Sequence, residues 1–243
     1  MCNPGQESIA PAPSPAVGGA GLSPAGAGGA QESGDRWSAH AEAYRQSDAH
    51  RSGADLDLID EWAEGETALD VASGGGHAAR RLREAGFAVV TVDPAPGMRA
   101  DVLSHAEQLP FADASFDVVV SRIAPHHFAN VSAAVMEMKR VSRALVLVVD
   151  NLYRDDSVEE AERLRDPTHV RNYGEREWRD LFEQAALDVE AVELIETEID
   201  AEAWLARAGC EGEEAERVRE LLAARIDGGR LAMTRIALKG RRR

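Results

Sequence analysis

Thr67-Ala68-Leu69-Asp70-Val71-Ala72-Ser73-Gly74-Gly75-Gly76-His77 is the stretch that decides the fold. Thr67–Ala72 is a short apolar run broken only by Asp70. Continuous apolarity of that length marks a strand buried on both faces. Three successive glycines then let backbone approach a ligand where a Cβ would collide. The helical pattern that begins near His77 aims its free N–H groups at the same place. Strand, glycine turn and helix in that order predict a ligand crevice beyond the strand's carboxyl end.

The same alternation continues outward. Ala88–Val92, Asp117–Ser121 and Ala144–Asp150 are further runs rich in Val and Leu. His77–Ala85 and Val131–Val141 carry apolar residues at helical spacing, the latter at Val131, Ala134, Val135, Met138 and Val141. Glu175–Ala186, led by Trp178, Leu181 and Phe182, reads as an amphipathic helix, and Leu187–Glu193 and Leu231–Leu238 as two more strands. This pattern predicts an α/β domain with a doubly wound, mostly parallel sheet and helices on both faces.

Composition narrows the function. The 243 residues hold 27 Lys and Arg against 43 Asp and Glu, a formal charge of −16. That balance argues against nucleic-acid binding, which needs clustered cations. Two cysteines, Cys2 and Cys210, exclude a disulfide scaffold and a Cys-based zinc site. No apolar run reaches the length of a membrane span. Residues 1–34 differ from the rest: 24 of these 34 are Gly, Ala, Pro or Ser, so a disordered tail is expected. The segment lacks the basic start and apolar core of a secretion signal, and a cytoplasmic location is expected. Residues 35–66 are expected to form a helical lid, 67–238 the ligand-binding domain, and 239–243 a solvated basic tail. Glu211–Arg225 reads as an ordinary surface helix.

Two ligands fit the glycine loop. Gly74-Gly75-Gly76-His77-Ala78-Ala79 satisfies the dinucleotide pattern G-x-G-x-x-A, and Asp93 follows 17 residues after Gly76. A carboxylate there can hold the ribose diol of NAD or of an adenosyl nucleoside, so spacing alone leaves both open. Asp70 favours a ligand with an ammonium and a sulfonium over one that places two phosphates beside a carboxylate.

Residues 37–200 resemble a class I S-adenosylmethionine-dependent methyltransferase (type 11 methyltransferase domain), of the small-molecule branch that includes ubiquinone- and menaquinone-methylating enzymes. The family's Asp-x-Gly-x-Gly-x-Gly is matched by Asp70, Gly74 and Gly76, with Ala72 at the first glycine. Its ribose acid corresponds to Asp93 in Val92-Asp93-Pro94-Ala95-Pro96-Gly97-Met98. Its adenine segment corresponds to Ser104-His105-Ala106-Glu107-Gln108-Leu109-Pro110-Phe111, with His105 in place of an Asp. Ser115-Phe116-Asp117-Val118-Val119-Val120 matches the opening of its fourth strand. No room remains between Met98 and Ala100 for the usual helix before the third strand, which must follow near Asp101–Leu103.

The resemblance implies a seven-stranded Rossmann-like sheet, S-adenosylmethionine as cofactor, and methyl transfer by in-line displacement to a small organic O, N or C nucleophile. The residues it implies at the cofactor are Tyr44, Asp70, Ala72, Gly74, Gly76, Asp93, Pro94, Met98, His105, Ala106, Glu107 and Arg122. For Arg122, contact with the cofactor carboxylate, fixing of Asp70 and an internal salt bridge all stay open. His126 and His127 are candidate general bases, with cleft-wall packing as the alternative, and no metal is required. Asp150 and Asn151 are expected to border the same cleft; for His169 and Arg171 a place in a substrate cover and solvent exposure both stay open. A non-catalytic cofactor-binding regulator and an NAD(P)-dependent oxidoreductase are the alternatives, separable by which cofactor stabilises the protein.

Overall fold

The computed structural model describes residues 27–46 and 51–243. Helix α1 (Ala27–Gln46) and helix α2 (Ala54–Trp62) precede strand β1 (Thr67–Val71), helix α3 (His77–Glu84) and strand β2 (Ala88–Asp93). A single 3-10 turn, Pro96–Met98, leads to β3 (Val102–Leu103), followed by β4 (Phe116–Arg122), α4 (Val131–Val141) and β5 (Ser142–Asn151). Then come α5 (Asp156–Arg165), α6 (Glu175–Gln184), β6 (Leu187–Asp200), α7 (Ala201–Arg207), α8 (Gly212–Leu221), β7 (Ile226–Asp227) and β8 (Arg230–Arg242).

The sheet order is β3-β2-β1-β4-β5-β8-β6, with the two-residue β7 beside β8. Strands β1 to β5 run parallel, and β8 enters antiparallel between β5 and β6. Seven strands therefore carry the order, as the sequence implies, and β7 is an eighth, marginal one. The strand order reverses between β1 and β4, which makes that boundary the crevice of the sheet.

Strand alternation sends neighbouring side chains to opposite layers. Leu69, Val71, Val119, Val146 and Val148 pack with Val135, Met138, Trp178 and Phe182 of α4 and α6. Ala68, Val118, Val120, Leu145 and Leu147 pack with Leu56, Ile59 and Leu82 of α2 and α3. Each such fully buried side chain contributes about 1.5–3 kcal/mol, so both layers are needed to hold the strand ends in register. A smaller cluster of Trp204, Leu205, Val218 and Leu231 mounts α7 and α8 on the β6–β8 edge.

Three expectations are corrected. Helix α1 starts at Ala27, inside the stretch expected to be disordered; the expected tail over 1–26 lies outside the described residues. The segment 35–66 is not one lid: Leu56, Ile59 and Trp62 bury α2 against the sheet, and only α1 lies over the crevice. Residues 239–243 are no solvated tail, because β8 runs to Arg242. Lys239 Nζ lies 2.8 Å from Glu64, Arg241 pairs with Glu64 and Glu190, and Arg243 lies 2.7 Å from Asp188. Asp188 and Glu190 on β6 and Glu64 in the segment before β1 turn the basic run into ion pairs. Among the described residues no helix is long and apolar enough to cross a membrane.

Candidate active site

A cavity of about 1060 Å³ opens at the carboxyl ends of β1, β2, β4 and β5. Its β1–β2 end is built by two carboxylates and the glycine turn. Asp93 accepts the Gly74 N–H through one oxygen and the Ala95 N–H through the other, both at 2.9 Å. The carboxylate thus clamps the glycine turn to the end of β2. Burial raises its pKa, and those two backbone donors oppose the shift. Asp70 accepts the Ala79 N–H at 2.9 Å, which fixes the first turn of α3. Complete burial pushes its carboxyl up to about 7, with that N–H and Arg122 acting against the shift.

The backbone at this end is strained. Ala72 and Ile123, which follow β1 and β4, sit at φ 54° and 52°, in the left-handed region. A side chain there costs about 1–2 kcal/mol, and a β-branched one is a rarer occupant still. Both residues line the cavity.

Helix α1 forms the roof. A Cβ on Gly97 would come within 2.6 Å of the Ser38 backbone, so only glycine lets the helix dock on this turn. Ser38 Oγ accepts the Gly97 N–H at 3.0 Å and Arg45 donates to the Gly97 carbonyl at 2.7 Å. His77 Nε2–H donates to the Tyr44 carbonyl at 3.0 Å, joining roof to glycine loop. Trp37 meets Tyr44 edge-on at 5.3 Å between ring centroids and His127 at 4.6 Å.

Histidines dominate the β4–β5 end. His126 and His127 occupy the 3-10 turn Pro125–His127. His126 Nδ1 lies 2.5 Å from Asp150 Oδ1 at the end of β5, and both side chains are buried. Burial drives His126 down to about 4 and Asp150 up to about 7, so the pair avoids an unbalanced buried charge. His127 Nδ1–H donates to the Thr168 carbonyl at 3.1 Å, and burial beside His126 lowers it to about 3. His169 donates through Nε2 to Glu159 at 3.2 Å, with its ring 5.5 Å from that of His126.

The structure gathers almost every expected site residue in this one cavity. Tyr44, Asp70, Ala72, Gly74, Asp93, Pro94, Met98, His105, Ala106, Glu107, Arg122, His126 and His127 all line it. Gly76 instead caps α3 at φ 72°. Arg122 Nε donates to Asp55 at 2.8 Å, which realises the internal ion pair while the side chain still borders the cavity. Asn151 and His169 are lining residues; Arg171 pairs with Glu177 at 2.7 Å and stacks on Tyr173 outside it. Trp37, Arg165, Trp204, Arg207 and Arg235 line the cavity without any local signal in the sequence. Among the described residues no group of three or more His, Cys, Asp or Glu is placed to hold a metal.

A parallel sheet with an antiparallel strand inserted next to its edge, and a glycine-loop crevice at the reversal of strand order, define the S-adenosylmethionine-dependent methyltransferase fold. The comparisons with known proteins agree. A methyltransferase domain model matches residues 69–148. The uncharacterized methyltransferase YcgJ of Bacillus subtilis is 30% identical over 208 residues, covering 75% of this chain and 82% of its own. Its crystal structure superposes with a TM-score of 0.70 over 78% of this chain and 98% of that one, at 26% identity. A structure described as a "putative methyltransferase" from Bacillus halodurans gives a TM-score of 0.69 at 26% identity, covering 78% and 99%. A demethylmenaquinone methyltransferase of Beutenbergia cavernae is 36% identical over 89 residues, 32% of this chain and 37% of that one. The chain belongs to the S-adenosylmethionine-dependent methyltransferase family. It is an enzyme of that class, with S-adenosylmethionine as cofactor.

Proposed function

We propose that the β1–β2 end of the cavity holds the cofactor, that a small organic acceptor fills the remainder, and that His126 takes the proton from the acceptor's nucleophile. When bound, S-adenosylmethionine supplies a methyl group activated for in-line displacement. The chain's own residues bind, align, exclude water and move the proton.

The residues at the β1–β2 end fit that cofactor. A Cβ built on Gly74 or Gly76 would meet no protein atom within 4 Å, so the loop leaves open the space beside it. Asp70, buried and titrating near neutrality, gains by facing a cation. In this reading Asp93 grips the ribose diol with lone pairs its two backbone donors leave free. Pro94 and Met98 flank the sugar, and His105, Ala106 and Glu107 form the adenine wall. Ala72 and Gly74 border the methionyl end, where Arg122 faces its carboxylate, and Gly76 shapes the turn behind them as the cap of α3. Helix α1 is the lid, closing through Trp37 and Tyr44.

The His126–Asp150 contact carries the assignment of the base. With Asp150 ionised, the imidazole donates Nδ1–H to it, and Nε2, which makes no hydrogen bond to the described residues, keeps its lone pair. Asp150 then stabilises the imidazolium that forms, as a carboxylate orienting a catalytic histidine does. His127 is also neutral, yet its partner is a carbonyl and Trp37 covers one side of it, so it serves as wall and support. The charge of −16 favours a small acceptor over nucleic acid, and the buried free thiol of Cys210 suits the cytoplasm.

The test has two parts. Thermal shift should show stabilisation by S-adenosylmethionine and S-adenosylhomocysteine and none by NAD. Acceptors found by S-adenosylhomocysteine release from a panel of phenols, amines and acids then report on His126→Gln, expected to lower kcat about 10²–10⁴-fold with cofactor affinity unchanged. Full turnover by that variant sinks the base assignment.

A further inference from the structure

The end of the cavity away from the glycine loop is cationic, in a protein whose net charge is −16. Arg165 of α5, Arg207 of α7 and Arg235 of β8 all line it. Most of the arginines around it have an anionic partner. Arg165 lies 3.7 Å from Glu162, and Arg36 lies 3.9 Å from Asp166. Arg122 and Arg235 share the single carboxylate of Asp55, at 2.8 and 3.0 Å. Arg207 makes no ion pair or hydrogen bond among the described residues, although it faces the cavity and is partly shielded from water. At this end Arg165, Arg207 and Arg235 therefore have Glu162 and a share of Asp55, which also serves Arg122, so the guanidinium groups outnumber the carboxylates paired with them.

A second observation points the same way. Nε of Arg235 is buried and has no hydrogen-bond partner among the described residues, in a side chain that is 7% exposed. A buried donor left unmet in a folded protein is costly unless something arrives to meet it. Desolvation, with Arg165 close by, pulls Arg207 down to about 10, and an anion would relieve that repulsion. Ile199, Trp204 and Met233 line this end beside the guanidinium groups, so the surroundings of the charge are apolar and aromatic. Arg165 itself stacks over Trp204 at 4.3 Å. A cavity of about 1060 Å³ is at the top of the range for one drug-sized ligand, about 300–1,000 Å³, and leaves space for a second molecule beside a nucleoside.

We propose that the methyl acceptor is an organic acid whose carboxylate docks on Arg207, with Arg165 and Arg235 behind it and its apolar body against Trp204. This rests on the reading of the cavity as a two-ligand methyl-transfer site. The carboxylate is the anchor; the reacting atom lies toward His126. Guanidinium and carboxylate pair through two parallel hydrogen bonds, which sets the acceptor's orientation as well as its affinity.

The test uses the full chain saturated with S-adenosylhomocysteine, titrated calorimetrically with benzoate and with its neutral isostere benzamide. Benzoate should bind at least about tenfold more tightly, and Arg207→Ala should abolish the difference, as expected for losing hydrogen bonds to a charged group. Arg207→Lys should restore part of it. Affinity for S-adenosylhomocysteine should stay within about twofold in both variants, because that ligand's own carboxylate is placed elsewhere. Equal binding of the two probes, binding of neither, or unchanged discrimination in Arg207→Ala would overturn the proposal. So would a large loss of S-adenosylhomocysteine affinity in Arg207→Ala, which would assign Arg207 to the cofactor. Failure of the cofactor reading itself is separate: the wild-type protein would then not bind S-adenosylhomocysteine at all.

Discussion

The two ends of the cavity are opposite in charge and were assembled by different routes. At the β1–β2 end Asp70 and Asp93 stand on adjacent strands and are satisfied by backbone N–H groups of Ala79, 9 residues from Asp70, and of Gly74 and Ala95, 19 and 2 residues from Asp93. At the other end Arg165, Arg207 and Arg235 come from two helices and a late strand; Arg165 pairs with Glu162 one turn back on α5, whereas Arg235 pairs with Asp55, 180 residues away. Asp55, which holds both Arg122 and Arg235, belongs to α2 on the opposite layer of the sheet. A site satisfied by its own backbone can be written in one short motif. A site satisfied by distant side chains can diverge with the acceptor while the cofactor end stays as it is.

That contrast can be broken by mutation. Asp93→Ala should weaken S-adenosylhomocysteine binding about 10–100-fold by calorimetry, because one or two hydrogen bonds to a charged group are lost. The benzoate preference of any protein that remains loaded should persist. If Asp93→Ala binds the cofactor product normally, the negative end has been assigned to the wrong ligand.

Titration sharpens it next. Asp70 is neutral below about 7 in the free protein and must ionise to meet a cation. The cofactor's affinity should therefore rise between pH 5.5 and 7.5, by up to about tenfold per unit, and binding should release a proton. Calorimetry in buffers of different ionisation heat reads that proton, and Asp70→Asn should flatten the profile. On the other side of the cavity Asp150 follows the same sign. Below about 7 its proton returns, the hydrogen bond to His126 reverses, and Nε2 is no longer a base. The rate kcat should fall on the acid side of neutrality, and Asp150→Asn should lower kcat while removing that limb.

The smallest effect concerns the strained backbone shared by both ends. Ala72 adopts φ 54°, where glycine carries no penalty. Relief of about 1–2 kcal/mol, less about 0.4–1 kcal/mol for the greater freedom of glycine in the unfolded chain, leaves Ala72→Gly more stable by about 0.5–1 kcal/mol. A rise in Tm of about 1–4 °C is expected for a domain of this size by calorimetric scan. An unchanged or lower Tm would mean that the Ala72 methyl contributes packing that offsets the strain.

The legible part of the molecule was the part with local causes. The apolar runs 67–72, 88–92 and 144–150 became β1, β2 and β5 because burial on both faces demands continuous apolarity over a short length. The Val131–Val141 pattern matches α4 at both ends, where Asn130 caps the helix by accepting the Ala133 N–H. The basic end 239–243 was misread because its charges are balanced by Glu64, Asp188 and Glu190, and no local pattern carries those pairs. The apolar face of α2 could have been read from Leu56, Ile59 and Trp62, yet its destination, under the sheet and away from the crevice, could not.

By itself the amino-acid sequence determined the sheet, the glycine turn and the positions of Asp70 and Asp93, because hydrophobic period, strand length and turn chemistry act over a few neighbouring residues. Only the tertiary structure decided which arginines face the cavity, that Asp150 stands behind His126, and that Arg207 has no ion pair among the described residues. Those facts depend on which distant carboxylates the folded chain brings within about 4 Å, since an ion pair forms by proximity in space whatever the separation along the chain.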